Sequence, residues 1–185
     1  MALIFSDKKS LGFKLPAFHL QSIDGKSFSS LDLKSYKALL VMFICNHCPY
    51  VKAIEDRIIS LYREMPKEEA QFIGICSNDY REYPEDSPQE LFKSWTEKGY
   101  GFPYLVDESQ EVAKSFGAVC TPDFFLFNQS QELVYRGRLD DSWKDEKQVK
   151  VQELKTAIQL LLRGENVPVE QSPSMGCSIK WKKQF

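Results

Sequence analysis

The apolar residues of this chain fall into blocks with two different periods. Leu39 to Ile44 form an unbroken apolar run, the composition of a strand buried on both faces. From Val51 the spacing changes. Val51, Ile54, Ile58, Leu61 and Met65 recur at helical intervals and mark one stripe of an amphipathic helix. Residues 71–76 and 124–127 read as two further buried strands. Val151, Leu154, Ile158, Leu161 and Leu162 predict a closing helix.

Polar punctuation fills in the rest. Phe18 and Leu20 alternate with His19 and Gln21 ahead of Asp24-Gly25, which predicts a β-hairpin over 17–30, with His19 an exposed strand residue. Residues up to Leu11 read as a leader arm. The stretch from Arg81 to Glu90 is acidic, holds Pro84 and Pro88, and reads as a solvated loop. Ser87-Pro88-Gln89-Glu90 is a capping box that opens a helix through Leu91, Phe92 and Trp95. Residues 102–106 predict a short strand, and Asp107 and Gln110 the caps of a short helix ending at Gly117. Asn128 to Gln131 turns the chain, and Leu133 to Arg136 pairs back. The order is βαβ, further helices, a ββ hairpin and a last helix: an α/β fold with a mixed central sheet. The chain reads as one domain over 1–185, with a core at 12–163. The tail at 164–185 packs back on it, because a solvated tail rarely combines Met175, Cys177, Ile179 and Trp181.

Composition narrows the class. The chain has 185 residues, 43% of them hydrophobic, enough to bury a sizeable core. A net charge of −2 with mixed signs argues against nucleic-acid or acidic-membrane partners. The start carries no signal-peptide pattern and no run approaches a membrane span, so a cytoplasmic protein is expected. Five cysteines in a reducing compartment point to catalysis or metal, not to a disulfide framework.

The chemistry centres on Cys45-Asn46-His47-Cys48, on the turn between the first buried strand and the helix. Thiols at a helix start face unpaired N–H groups, and there the thiol pKa falls from roughly 8.5 into the range of about 3.5–7.5. His47, if protonated, would push the same way. A redox dithiol is the leading expectation, with Cys45 titrating well below a free cysteine; Cys76 reads as core.

With Cys45-Asn46-His47-Cys48, Thr121-Pro122 and the element order in hand, the chain resembles the thioredoxin superfamily, and more narrowly its peroxiredoxin-like (AhpC/TSA, redoxin) branch. Cys-Asn-His-Cys-Pro-Tyr-Val, Cys-Thr-Pro-Asp-Phe-Phe-Leu-Phe, Arg-Gly-Arg-Leu-Asp-Asp and the late Gly-Cys-Ser-Ile-Lys-Trp-Lys are similar to an uncharacterised subgroup of that branch. The likeness covers roughly residues 12–183. It implies Cys45 as an exposed attacking thiol, Cys48 as the resolving thiol, a cis bond at Pro122, and a backbone at Thr121 that pairs with substrate. His47, Cys120 and Cys177 are auxiliary candidates. Departures are definite. Leu39 stands where thioredoxins keep a buried aspartate, and Val41 and Cys45 stand where peroxiredoxins carry the proline and threonine of their motif. The arginine of that apparatus is absent.

The resemblance implies a thiol–disulfide oxidoreductase acting on protein or small-molecule disulfides, without cofactor, and re-reduced by a partner such as a thioredoxin. The alternative is a thiol peroxidase with Cys48 attacking peroxide. A copper or zinc carrier is a third reading, in which Cys120 and Cys177 complete four ligands. A redox-inert binding module is the fourth. For Cys177 two roles stand: a packed bystander, or a third thiol that draws the disulfide from the pair, with Gly176 permitting close approach or a positive φ.

Overall fold

A computed structural model describes residues 3–6, 11–33 and 36–183. The strands are β1 (Leu3–Phe5), β2 (His19–Ser22), β3 (Ser27–Ser29), β4 (Ala38–Phe43), β5 (Ala70–Cys76), β6 (Tyr104–Val106), β7 (Cys120–Thr121), β8 (Asp123–Asn128), β9 (Leu133–Gly137) and β10 (Met175–Ser178). The α-helices are α1 (Pro49–Lys52), α2 (Glu55–Glu64), α3 (Pro88–Lys98), α4 (Glu111–Phe116) and α5 (Glu153–Leu162). Seven strands form one sheet in the order β3-β2-β6-β5-β4-β8-β9, and β1-β10-β7 form a second.

The apolar run predicted as a doubly buried strand is β4, and all six of its residues are buried. It pairs parallel with β5 and antiparallel with β8. Its pleat divides the interior. Leu40 and Met42 face the layer of Ile54, Ile58, Leu154 and Ile158. Leu39, Val41 and Phe43 face Phe116 and Phe125, whose rings meet edge to face at 5.4 Å. Each such side chain contributes about 1.5–3 kcal/mol on burial. The fold is thioredoxin-like, with helices on a mixed sheet and the expected N-terminal hairpin.

Four expectations are corrected. The helix from Val51 to Met65 is two helices, since the Ile54 N–H bonds Val51 O at 3.0 Å and tightens the turn between them. The closing helix starts at Glu153, leaving Val151 half-exposed before it. Gln110 does not cap α4 with its side chain. Asp107 accepts from Ala113 N–H at 2.9 Å instead, while the Gln110 amide serves the backbone of Ser77 and Lys180. The leader arm is in part a strand: Leu3, Ile4 and Phe5 pair with Cys177, Gly176 and Met175 of the tail. Residues 1–2 and 7–10 of that arm lie outside the described residues. Ser87 caps α3 as expected, accepting from Glu90 N–H.

Candidate functional site

Where β4 stops, the chain turns through Cys45, Asn46 and His47, and Cys48 takes the position before α1, with Pro49 in the first turn where an N–H is not needed. The other wall is the β7–β8 junction. Thr121–Pro122 is cis, as the resemblance implied. Cys48 Sγ donates to Thr121 O at 3.1 Å, and Cys45 Sγ lies 3.3 Å from Thr121 Oγ1. One residue therefore touches both sulfurs, from positions more than seventy residues away.

One expectation about Cys45 is overturned. It is not exposed: Cys45 is 1% and Cys48 0% accessible. The two thiols also shift in opposite directions. Burial first, then the hydrogen bond it gives to Cys48 and the charge of Asp86, push Cys45 well above an ordinary thiol. Cys48 goes down. The hydrogen bond from Cys45 lowers it most; burial opposes that, and the Val51 N–H and the N–H and S–H groups of Cys177 reinforce it. The Thr121 carbonyl favours the protonated thiol, to which it offers an acceptor, but several donors converging on one sulfur outweigh one acceptor. With α1 only four residues long, local donors, not a helix dipole, account for the shift.

The acidic loop supplies a residue that sequence reasoning missed. Asp86, 1% exposed, accepts from the N–H groups of Asn46 at 2.8 Å and His47 at 3.1 Å, and from Asn78 Nδ2 at 2.8 Å. His47 Nδ1 lies 2.5 Å from Oδ2, the oxygen that also accepts from Asn78, and the imidazole stacks on Tyr83. Burial works against ionisation of Asp86, but these hydrogen bonds and the His47 attraction hold its carboxyl below the usual range. His47 thus serves a carboxylate and not a sulfur. The Asn46 amide ties the same loop to Glu90 O and Ser94 Oγ of α3. One carboxylate amid Asp79, Glu82, Glu85 and Glu90 carries no signal of burial in its spacing.

The tail reaches the thiols. β10 pairs antiparallel with β7, setting Cys177 opposite Thr121 and Ser178 opposite Cys120. The edge of Thr121 expected to receive substrate is thus occupied by the chain's own strand. Cys177 is 1% exposed. Cys120 is fully buried, and its thiol points to Pro122 O at 3.7 Å. Burial holds the Cys120 and Cys76 thiols far above an ordinary cysteine. All five cysteines are unbridged. The four-cysteine metal set is not what the fold gathers. Among the described residues, the donors brought within 4.8 Å of one another are those of Cys45, His47 and Asp86. A groove of about 300 Å³ opens beside the cis bond, lined by Tyr50, Pro122, Trp143, Phe5 and Met175 among others. No helix among the described residues is long and apolar enough to cross a membrane.

Fold and site together define a thioredoxin-like protein with a buried dithiol at the strand-to-helix turn. The chain belongs to the AhpC/TSA family, whose description matches residues 11–136. It is similar to the crystal structure of an uncharacterized conserved protein from Geobacillus kaustophilus, at 44% identity over 100% of this chain and 99% of that one, with a TM-score of 0.94. A hypothetical protein from Sinorhizobium meliloti 1021 is 38% identical over 97% and 99%, with a TM-score of 0.93. The thioredoxin domain of a thiol-disulfide oxidoreductase from Bacteroides vulgatus, at 17% identity over 70% and 89% and a TM-score of 0.59, shares the fold. Comparison with curated proteins gave no match.

Proposed function

We propose that the protein is a thiol–disulfide oxidoreductase whose working dithiol is Cys45–Cys48, with Cys48 as the attacking sulfur. The observation that carries this reading is the convergence on Thr121: one residue holds both thiols, and the Val51 N–H and the N–H and S–H groups of Cys177 gather at Cys48. The Cys48 thiolate attacks a substrate disulfide RSSR, forming Cys48–S–S–R and releasing one RS⁻. Cys45, having lost its proton, then attacks the Cys48 sulfur and releases the second RS⁻. The protein loses two electrons to the substrate and is restored by an external dithiol such as a thioredoxin. Family membership and the thioredoxin-like fold support the redox class. The test is titration of the reduced protein with glutathione disulfide. One Cys45–Cys48 bond and two glutathione thiols should appear per equivalent; thiols that stay unoxidised would favour a redox-inert binding module.

Peroxide reduction stands as a second reading, because the acidified Cys48 is the cysteine that directly precedes a proline, Pro49. There the Cys48 thiolate takes one oxygen from a hydroperoxide, leaving an alcohol or water, and its sulfenic acid condenses with a neighbouring thiol with loss of water. One equivalent of hydrogen peroxide, followed by mass analysis of Cys45→Ser, separates the two. A gain of one oxygen on Cys48, or a bond from Cys48 to another thiol, supports peroxide chemistry; an unchanged mass rejects it.

A further inference from the structure

We propose that Cys177 is a third working thiol, so that Cys48 is the shared sulfur of two alternative disulfides, Cys45–Cys48 and Cys48–Cys177. This rests on the exchange chemistry proposed above and adds a partner thiol to the same site.

Three observations carry it. The first is register. Cys177 stands opposite Thr121, the residue whose carbonyl holds Cys48 and whose hydroxyl touches Cys45. The tail strand thereby occupies the edge that an incoming chain would take, with its own cysteine turned to the site. The N–H and S–H groups of Cys177 both face the Cys48 sulfur. The second is approach. A Cβ at Gly176 would lie 2.0 Å from Thr121 O and 2.6 Å from Thr121 C, so only glycine lets β10 come this near. Gly176 has no positive φ; closeness alone requires it. The third is anchoring. Lys180 N–H donates to Asn78 Oδ1 at 2.8 Å, and Asn78 Nδ2 donates to Asp86 Oδ2, on the carboxylate that holds the Asn46-His47 turn. The segment carrying Cys177 and the turn carrying Cys45 and Cys48 hang on one buried network.

The exchange step is balanced. The Cys177 thiolate attacks the Cys48 sulfur of the Cys45–Cys48 bond; the Cys48–Cys177 bond forms and Cys45 leaves as a thiolate. No electrons are gained or lost overall. The proton given up by Cys177 passes to Cys45, whose buried setting favours the protonated form. In the product the tail is tied covalently to the start of α1, and Cys45 is free.

Disulfide mapping tests this. Trypsin leaves Cys45 and Cys48 together on residues 38–52 and Cys177 on residues 164–180. The full chain and the Cys45→Ser, Cys48→Ser and Cys177→Ser variants are each oxidised with one equivalent of glutathione disulfide, alkylated, digested and mapped. Cys45→Ala repeats the Cys45→Ser arm in case serine disturbs the buried pocket. The expected result is a 38–52 to 164–180 link in wild type, dominant in Cys45→Ser and absent in Cys48→Ser. Cys177→Ser should retain only the bond within 38–52. If the bond within 38–52 forms but no link to 164–180 appears in any variant, Cys177 is a packed bystander and this inference falls while the dithiol reading stands. If the link forms in Cys45→Ser but wild type never makes Cys45–Cys48, the dithiol reading falls and the third thiol stands. A link through Cys45 in Cys48→Ser overturns the central place of Cys48, and no disulfide anywhere overturns both.

Discussion

Cys48 Sγ and Thr121 O, separated by seventy-two residues of chain, meet at 3.1 Å. The contact makes the acidified thiol and the cis-proline loop one unit, and it gives Cys48 an acceptor only while it is protonated. Ionising Cys48 means giving up that acceptor for the donors of Cys45, Val51 and Cys177.

The first expectation is a pH signature of stability. The folded Cys48 thiol is lowered, so the fold prefers its thiolate. The stabilisation is fully present above the unfolded thiol value of about 8.5 and is lost as pH falls through the lowered folded value. Between those two points the reduced protein should gain on Cys48→Ser by up to about 1.4 kcal/mol per pH unit. Denaturant midpoints measured from pH 4 to 8 check this. A difference that does not change with pH removes the acidified thiol. Cys45 has the opposite sign: its raised value makes the reduced protein lose stability above about pH 8.5, where the unfolded thiol ionises and the folded one does not.

Asp86→Asn should destabilise the protein by about 2–4 kcal/mol, because the half-buried N–H groups of Asn46 and His47 lose a charged acceptor. It should also ease ionisation of Cys45, since the Asp86 charge is one of the forces raising that thiol, after burial. Chemical denaturation and the pH profile of Cys45 alkylation in a Cys48→Ser background report the two effects. A stable Asp86→Asn protein with an unchanged profile would mean that the carboxylate does not organise the turn.

Gly176→Ala places a Cβ against the Thr121 backbone, and backbone cannot move aside as a flexible side chain does. The cost should be about 1–3 kcal/mol, with β10 shifted from β7. Amide exchange at Cys177 and Ser178 should rise, while exchange in β4 stays slow. Wild-type protection at both positions in Gly176→Ala would mean the strand tolerates a side chain at that contact.

Much of this architecture was legible because it is local. The run at 39–44, the turn at Asp24-Gly25 and the change of period at Val51 each encode an element within a few residues. The Cys45–Cys48 spacing and Thr121-Pro122 place the two halves of the site. Long-range relations were not legible. Asp86 sits in a stretch whose composition reads as solvated, and only folding shows that one carboxylate of the set turns inward. The pairing of β1 with β10 joins the two ends of the chain, and three residues of Leu3–Phe5 carry too little pattern to announce a strand. The opposite shifts of Cys45 and Cys48 have the same origin. A helix start favours both thiols alike, and what separates them is the burial of Cys45 and the hydrogen bond it gives to Cys48, with Cys177 adding donors beside one and Asp86 a charge beside the other.

The most direct measurement is trapping of the first mixed disulfide. Cys45→Ser/Cys177→Ser keeps Cys48 without either neighbouring thiol, and Cys48→Ser/Cys177→Ser keeps Cys45 alone. Both reduced proteins are mixed with glutathione disulfide near neutral pH and read by intact mass and peptide mapping over time. Cys48 should accumulate a stable glutathione adduct quickly, and Cys45 should remain a free thiol on the same timescale. A glutathione adduct on Cys45 with an unmodified Cys48 would contradict the assignment of Cys48 as the attacking sulfur.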